Sequence, residues 1–188
     1  TETHMKEPDR FMIDGYSIFH SANATRDHKG KPTQDFTGVS IITSQKFTPS
    51  LTYLRPHSGR LLTATFHTTE APLKFIIAYA PHNLHTPEDK EQYWKTLTKE
   101  YSKTPKSTTT IILGDLNAQI NETASNNKDI TGPHCPEPSH NLSEENSEDS
   151  DNSTHLSTLC QHHNLCFPQT WQRKTDEQRH THTHTQET

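Results

Sequence analysis

Leu73-Lys74-Phe75-Ile76-Ile77-Ala78-Tyr79-Ala80-Pro81-His82 is the stretch on which the fold turns. In an extended chain Leu73, Phe75, Ile77 and Tyr79 share one face, while Ile76 and Ala78 keep the opposite face apolar. A strand apolar on both faces is covered on both, so it belongs at the centre of a sheet. Working backward, Leu62, Ala64 and Phe66 alternate with Thr63 and Thr65, the pattern of a strand with one buried face, and Ala71-Pro72 predicts an antiparallel connection between the two. Working forward, Thr86 can cap a helix, Pro87 suits its first position, and Glu88 and Asp89 favour its positive end. Tyr93, Trp94, Leu97 and Tyr101 fall at helical spacing and are expected to pack on the sheet, and Pro105 stops the helix. Residues 108–113 then read as a buried strand, which makes the helix a crossover between strands.

Further out, Tyr16-Ser17-Ile18-Phe19 reads as a short strand after a turn at Asp14-Gly15. Gly38-Val39-Ser40-Ile41-Ile42 and Leu51-Thr52-Tyr53-Leu54 read as two more, with Pro56 and Gly59 in the turn that follows. Residues 118–153 turn to Asn, Ser, Glu and Pro and are expected to form a polar, acidic, disordered loop. Leu156, Leu159, Cys160 and His163 suggest a short helix, and residues 165–167 a strand. The predicted organisation is a core over 1–117, the loop over 118–153, a continuation of the same domain over 154–175 and a His/Thr-rich tail over 176–188. Metal capture by the alternating His of that tail is the lesser expectation beside a solvated low-complexity end.

The composition is polar, with 27% hydrophobic residues and a mean hydropathy of -1.00, against roughly 45–50% apolar in compact domains. A core therefore requires the apolar residues to be concentrated, and most β-branched and aromatic ones do fall between Phe36 and Leu113. The formal charge is -5, but six acids (Glu137, Glu144, Glu145, Glu148, Asp149 and Asp151) lie in one run without Lys or Arg. With those six set aside, 18 basic residues face 17 acidic ones, so the body does not repel a phosphodiester. Nor does it carry the basic excess of an obvious nucleic-acid binder. Cys135, Cys160 and Cys166 match neither a disulfide framework nor a common zinc spacing, which favours a reducing compartment. The longest apolar run, residues 75–80, is too short to span a membrane. The chain opens at Thr1 and reads as an excerpt.

Two strand ends carry the chemistry. In Ile111-Ile112-Leu113-Gly114-Asp115-Leu116-Asn117-Ala118, Ile111, Leu113 and Asp115 share a face, so a carboxylate emerges where the strand stops. Gly114 is expected to let a substrate backbone approach, and Asn117 can share the side of Asp115. A carboxylate beside a carboxamide can hold and polarise a water, although Asp, Asn and Gly also dominate ordinary turns. Tyr79-Ala80-Pro81-His82 offers a phenol and an imidazole, donors suited to a phosphate oxygen. Each stretch taken singly has a bland alternative, a surface turn for the first and a core tyrosine with an exposed histidine for the second.

Taken with Glu2-Thr3, these segments resemble the endonuclease/exonuclease/phosphatase family. Glu2-Thr3 looks like the family's Gln-Glu-Thr segment, whose Glu is a magnesium ligand. Tyr79-Ala80-Pro81-His82 resembles its Tyr-x-Pro-Asn/His segment, whose Tyr contacts the scissile phosphate. Gly114-Asp115-Leu116-Asn117 matches Gly-Asp-Phe/Leu-Asn, whose Asp and Asn position the attacking water and the transition state. The flanks Gly15-Tyr16-Ser17-Ile18-Phe19, Gly38-Val39-Ser40-Ile41-Ile42, Arg60-Leu61-Leu62 and Tyr93-Trp94 resemble the endonuclease domains of non-LTR retrotransposon polyproteins more than apurinic-site repair enzymes or inositol-phosphate phosphatases. Downstream, His163-Asn164-Leu165-Cys166-Phe167 with Gln169-Thr170 resembles the family's Asn-Leu…Asn-Thr segment.

The resemblance implies an incomplete four-layer α/β sandwich of the deoxyribonuclease-like type, two sheets face to face with helices outside. It implies a Mg²⁺-dependent phosphodiesterase (Mn²⁺ as the alternative ion) that nicks DNA, with Glu2 on the metal, Tyr79, Asp115 and Asn117 catalytic, and Tyr79 and His82 on the phosphate. It further implies a reverse transcriptase domain downstream, an intracellular protein acting in the nucleus, and no membrane partner. The family's Asn before the Glu, its Ile-Asp-Tyr-type strand and its final Asp-His pair are not in this sequence. The isolated chain is therefore expected to have little or no catalytic power. An inactive remnant or weak binding module, and a phosphomonoesterase of the same family, are the rival expectations.

Overall fold

The computed structural model describes residue 3 and residues 9–22, 37–82, 85–118, 130–135 and 149–174. It is a mixed α/β structure whose described residues form two sheets, of three and four strands, and two helices. The chain divides into two compact units, residues 1–117 and 118–188.

In the first unit, β1 (Asp9–Ile13), β2 (Tyr16–Ser21) and β3 (Val39–Ser44) form an antiparallel sheet in the order β1-β2-β3. Asp14 and Gly15 both take positive φ, +48° and +79°, the mirror-image turn that matches strand twist in a two-residue hairpin. The turn was legible in the sequence and β1 was not, because its side chains are mostly exposed and follow no clear period.

The second sheet has the order β4-β5-β6-β7: β4 (Leu51–Ser58), β5 (Leu61–Phe66), β6 (Leu73–Tyr79) and β7 (Thr109–Asp115). The first three pair antiparallel, and β6 pairs β7 in parallel across α1 (Pro87–Ser102), so the helix is the expected crossover. β6 is central, as its two apolar faces require. On one face Ile77 and Tyr79 pack with Leu62 of β5 and Val39 of β3, joining the two sheets. The other face meets α1, where Tyr93, Trp94 and Leu97 are buried.

Two expectations are corrected here. β4 does not stop before Pro56 but runs through it, with a register irregularity between Pro56 and Ser58. It is an edge strand, where a residue without an N–H costs little. β7 is not a buried strand: it is the opposite edge, and Ile111 and Leu113 are 38% and 48% exposed. The apolar period was read correctly, but nothing local says whether another layer covers it.

The start of α1 is built as its sequence indicates. The Thr86 side chain accepts a hydrogen bond from the Asp89 N–H at 3.2 Å, and Pro87 opens the helix. Thr86→Ala is expected to cost about 0.5–2 kcal/mol, read as a lower midpoint in urea with an unchanged slope. A midpoint equal to wild type would show that the cap contributes nothing.

The face between α1 and the sheet contains a polar cluster. Lys74 is buried in β6, and its ammonium donates to the Glu100 carbonyl at 2.8 Å and to the Thr104 hydroxyl at 2.7 Å. Burial lowers its pKa, partly offset by the Glu100 charge. His57 lies 3.0 Å from the Thr63 hydroxyl and 3.6 Å from the Glu100 carboxylate, and burial holds its pKa below 6.5 against the pull of Glu100. Burial raises the Glu100 carboxyl, but Lys103, His57 and Arg55 together outweigh it and hold the group below 4.5. Depressed in this way, His57 and Glu100 each contribute stability that is complete above the unfolded pKa and is lost as the pH falls through the folded one. Stability should therefore decline on acidification, first below about pH 6.5 and further below about 4.5. Glu100→Gln should flatten the lower part of that decline in urea titrations across the range, whereas curves parallel to wild type would contradict the coupling.

In the second unit, α2 (Asp149–His163) starts well before the helix read from Leu156. The preceding residues look like loop by composition, but the helix already includes residues 149–151. Asn152, Leu156, Leu159 and Cys160 are buried at helical spacing. The strand expected over 165–167 does not form. The Phe167 N–H bonds the Ile130 carbonyl, and the chain turns at once into a 3₁₀ turn, Pro168–Trp171. Residues 130–135, inside the expected disordered loop, are folded: Gly132 N–H donates to the Thr170 hydroxyl at 2.7 Å, and Ile130, Thr131 and Cys135 are buried. The rest of that loop between 119 and 148, and the His/Thr tail, lie outside the described residues.

Candidate functional site

β6 and β7 run parallel and in register, so Tyr79 is paired directly with Asp115. Side chains opposite each other on neighbouring strands share a face, which brings the phenol-bearing and carboxylate-bearing residues side by side at one sheet end. The Ala80 N–H donates to the Asp115 carbonyl at 2.8 Å and extends the ladder past the strand ends. Asn117 then turns, with φ +44°, in the left-handed region that Asn tolerates better than most residues. Its backbone N–H donates to Asp115 Oδ1 at 2.9 Å, and its Nδ2 donates to the Ala80 carbonyl at 2.7 Å. The sequence-predicted trio of Tyr79, Asp115 and Asn117 is thus gathered at one place, with the carboxamide tied to the end of β6. Asp115 is exposed, Asn117 half-buried, and Tyr79 only 5% exposed with its ring in the core between the sheets.

Gly114 does not serve the role expected of it. It has φ +135°, and a Cβ there would overlap the carbonyl of Ala78. The close backbone approach that glycine permits is that of β6, not of a substrate.

His82 is half-buried just past the end of β6, its ring edge-to-face with His85 at 4.6 Å between centroids, and the His85 N–H bonds its carbonyl. Glu2 lies outside the described residues; its neighbour Thr3 sits beside Gly38, at the start of β3, and its hydroxyl lies 3.0 Å from His20 Nδ1. Among the described residues no three His, Cys, Asp or Glu side chains converge to hold a metal ion.

Arg60, whose chemistry the sequence did not indicate, belongs to this site. It leads from the turn after β4 into β5, and its guanidinium stands over the Tyr79 ring at 4.8 Å from the centroid, a contact worth about 0.5–2 kcal/mol. It also donates to the Ala80 carbonyl at 3.4 Å and to His85 Nε2 at 2.9 Å. The Ala80 carbonyl therefore receives donors from both Arg60 and Asn117. Only the pairing of β5 with β6 brings Arg60 here, which is why no local pattern marks it. A cation, a phenol, a carboxylate and a carboxamide are thereby collected at one strand end, a set able to bind an oxyanion and to take a proton from water. No protein-family model and no curated protein matches the chain.

Proposed function

We propose that this chain carries the phosphate-handling part of a Mg²⁺-dependent phosphodiesterase of the endonuclease/exonuclease/phosphatase type, built as an incomplete four-layer sandwich, that nicks DNA as retrotransposon endonucleases do. The observation that carries the reading is the direct pairing of Tyr79 with Asp115, with Asn117 tied across to Ala80. Asp115, exposed to solvent, orients a water and accepts its proton as the water attacks phosphorus. Asn117, fixed by its bond to β6, steadies that water. Tyr79 and His82 donate to the non-bridging oxygens, where charge grows in the transition state, and the Arg60 guanidinium adds a positive field. Donors already held in place gain most there, because they need not reorganise as the charge develops.

The metal rests on Glu2 and on the resemblance, since the described residues do not form a metal-holding group by themselves. Bound there, Mg²⁺ would supply a hard positive charge to a phosphate oxygen. A DNA strand is the substrate in this reading, a reverse transcriptase domain its companion in the same polyprotein, and the nucleus its place of action.

The missing Asp-His segment favours a second reading for the isolated chain, a form that binds phosphate esters but turns them over slowly or not at all. The separating assay uses the domain completed with such a segment. Relaxation of supercoiled plasmid in Mg²⁺ supports the nuclease, release of phosphate from inositol phosphates supports a phosphomonoesterase, and neither activity leaves the remnant.

A further inference from the structure

Between α1 and the turn joining β4 to β5 lies a cavity of about 370 Å³, which shares Arg60 and Pro81 with the strand end described above. Its volume is at the lower end of the roughly 300–1,000 Å³ usual for ligand pockets. Leu61, Pro81 and the Tyr93 ring lie among lining residues that mostly bear polar groups, so the wall mixes apolar surface with hydrogen-bonding groups. Such a wall suits a ligand that has both an apolar face and hydrogen-bonding groups.

Two of the lining residues, Thr37 and Tyr93, have buried hydroxyls with no hydrogen-bond partner, and among the described residues these are the only buried side-chain polar atoms left so. An unpaired buried hydroxyl costs about 1–3 kcal/mol. Both residues line the cavity, so a ligand that enters it can supply a partner once a small side-chain shift uncovers the hydroxyl. The Tyr93 phenol is raised by burial, eased by Arg60 and pushed further by Asp115, so it stays protonated and able to donate. The charges are divided. Arg60 stands at the side next to Tyr79, with no carboxylate within ion-pair distance among the described residues. Asp89 is exposed in the first turn of α1, with Gln92 one turn further on. The ligand that fits such a wall has an anionic end and a donor-bearing end.

We infer that this cavity binds one nucleotide, its phosphate at Arg60 and the N–H or O–H donors of its base or sugar at Asp89 and Gln92. The inference builds on the phosphodiesterase reading: the cavity would hold a residue of the strand next to the phosphate being cleaved. The Tyr93 and Thr37 hydroxyls gain partners when the cavity fills.

The test uses the full 188-residue chain without metal, titrated with deoxynucleoside 5′-monophosphates, with inorganic phosphate and with deoxynucleosides, and followed by amide shifts in NMR. The nucleotide should bind at least about tenfold more tightly than either part, with the largest shifts between Asp89 and Thr96. Asp89→Asn, at an exposed position, and Tyr93→Phe, which keeps the ring, should each weaken it about fivefold. Phosphate binding as tightly as nucleotide, the absence of shifts around α1, or a Tyr93→Phe protein that is stabilised with unchanged affinity would each overturn the inference. Because binding is read apart from cleavage, absence of nucleotide binding beside plasmid nicking by the completed domain defeats this proposal alone, and binding without nicking defeats the phosphodiesterase alone.

Discussion

Asp115→Ala in a domain completed with the Asp-His segment is expected to lower Mg²⁺-dependent plasmid nicking by about 10²–10⁴-fold. The magnitude is that of removing a positioned proton acceptor, because Asp115 is the exposed carboxylate at the joint end of β6 and β7. Stability should change little, since the side chain is solvated and its bond to the Asn117 N–H can pass to water. Asp115→Asn sharpens the test: it keeps an acceptor for the Asn117 N–H but cannot take a proton. If Asp115 only shaped the turn into Asn117, the Asn variant would nick as wild type does. If it is the base, both variants lose the same activity at an unchanged melting temperature.

Gly114→Ala should give the largest loss of stability of any single methyl addition in the first unit. At φ +135° an L side chain is strained, and here its Cβ would overlap the Ala78 carbonyl on the paired strand. Unlike the end of a flexible side chain, that backbone cannot swing aside without opening the β6–β7 ladder between Ala78 and Gly114. A cost of about 3–5 kcal/mol follows, a fall in melting temperature of roughly 10 °C. Nicking should fall with it even where the variant is still folded, because Tyr79 and Asp115 lie one register step beyond the collision. A melting temperature within about 2 °C of wild type would show that the β6–β7 pairing is not as tight as described.

The legible parts of the fold were those whose cause is local. Two apolar faces made β6 central, Thr86 and Pro87 announced α1, and the strand–helix–strand order made β7 its parallel partner. The candidate site was legible because Tyr79 and Asp115 each end a strand, and two parallel neighbours in register must bring their ends together. What stayed hidden depends on distant chain. The exposure of Ile111 and Leu113 reflects the position of β7 at an edge, which no period reveals. Lys74 carried no expectation of its own, and its ammonium is satisfied only by the Glu100 carbonyl and the Thr104 hydroxyl, which the end of the crossover brings to it. Arg60 acquires its meaning only from lying over Tyr79. The apolar run 165–167 promised a strand, but the Leu165 N–H turns back to the Cys160 carbonyl, the Phe167 N–H reaches Ile130, and Pro168 ends the extended chain.

The chemistry itself is tested most directly by the ends it leaves. Supercoiled plasmid treated with the completed domain in Mg²⁺ should yield nicked circles whose 3′ hydroxyls a DNA polymerase extends at once, and chelation of the metal should abolish both nicking and extension. Circles that stay supercoiled, or nicks that no polymerase can extend, would contradict water attack on a phosphodiester held between Tyr79, Asp115 and Asn117.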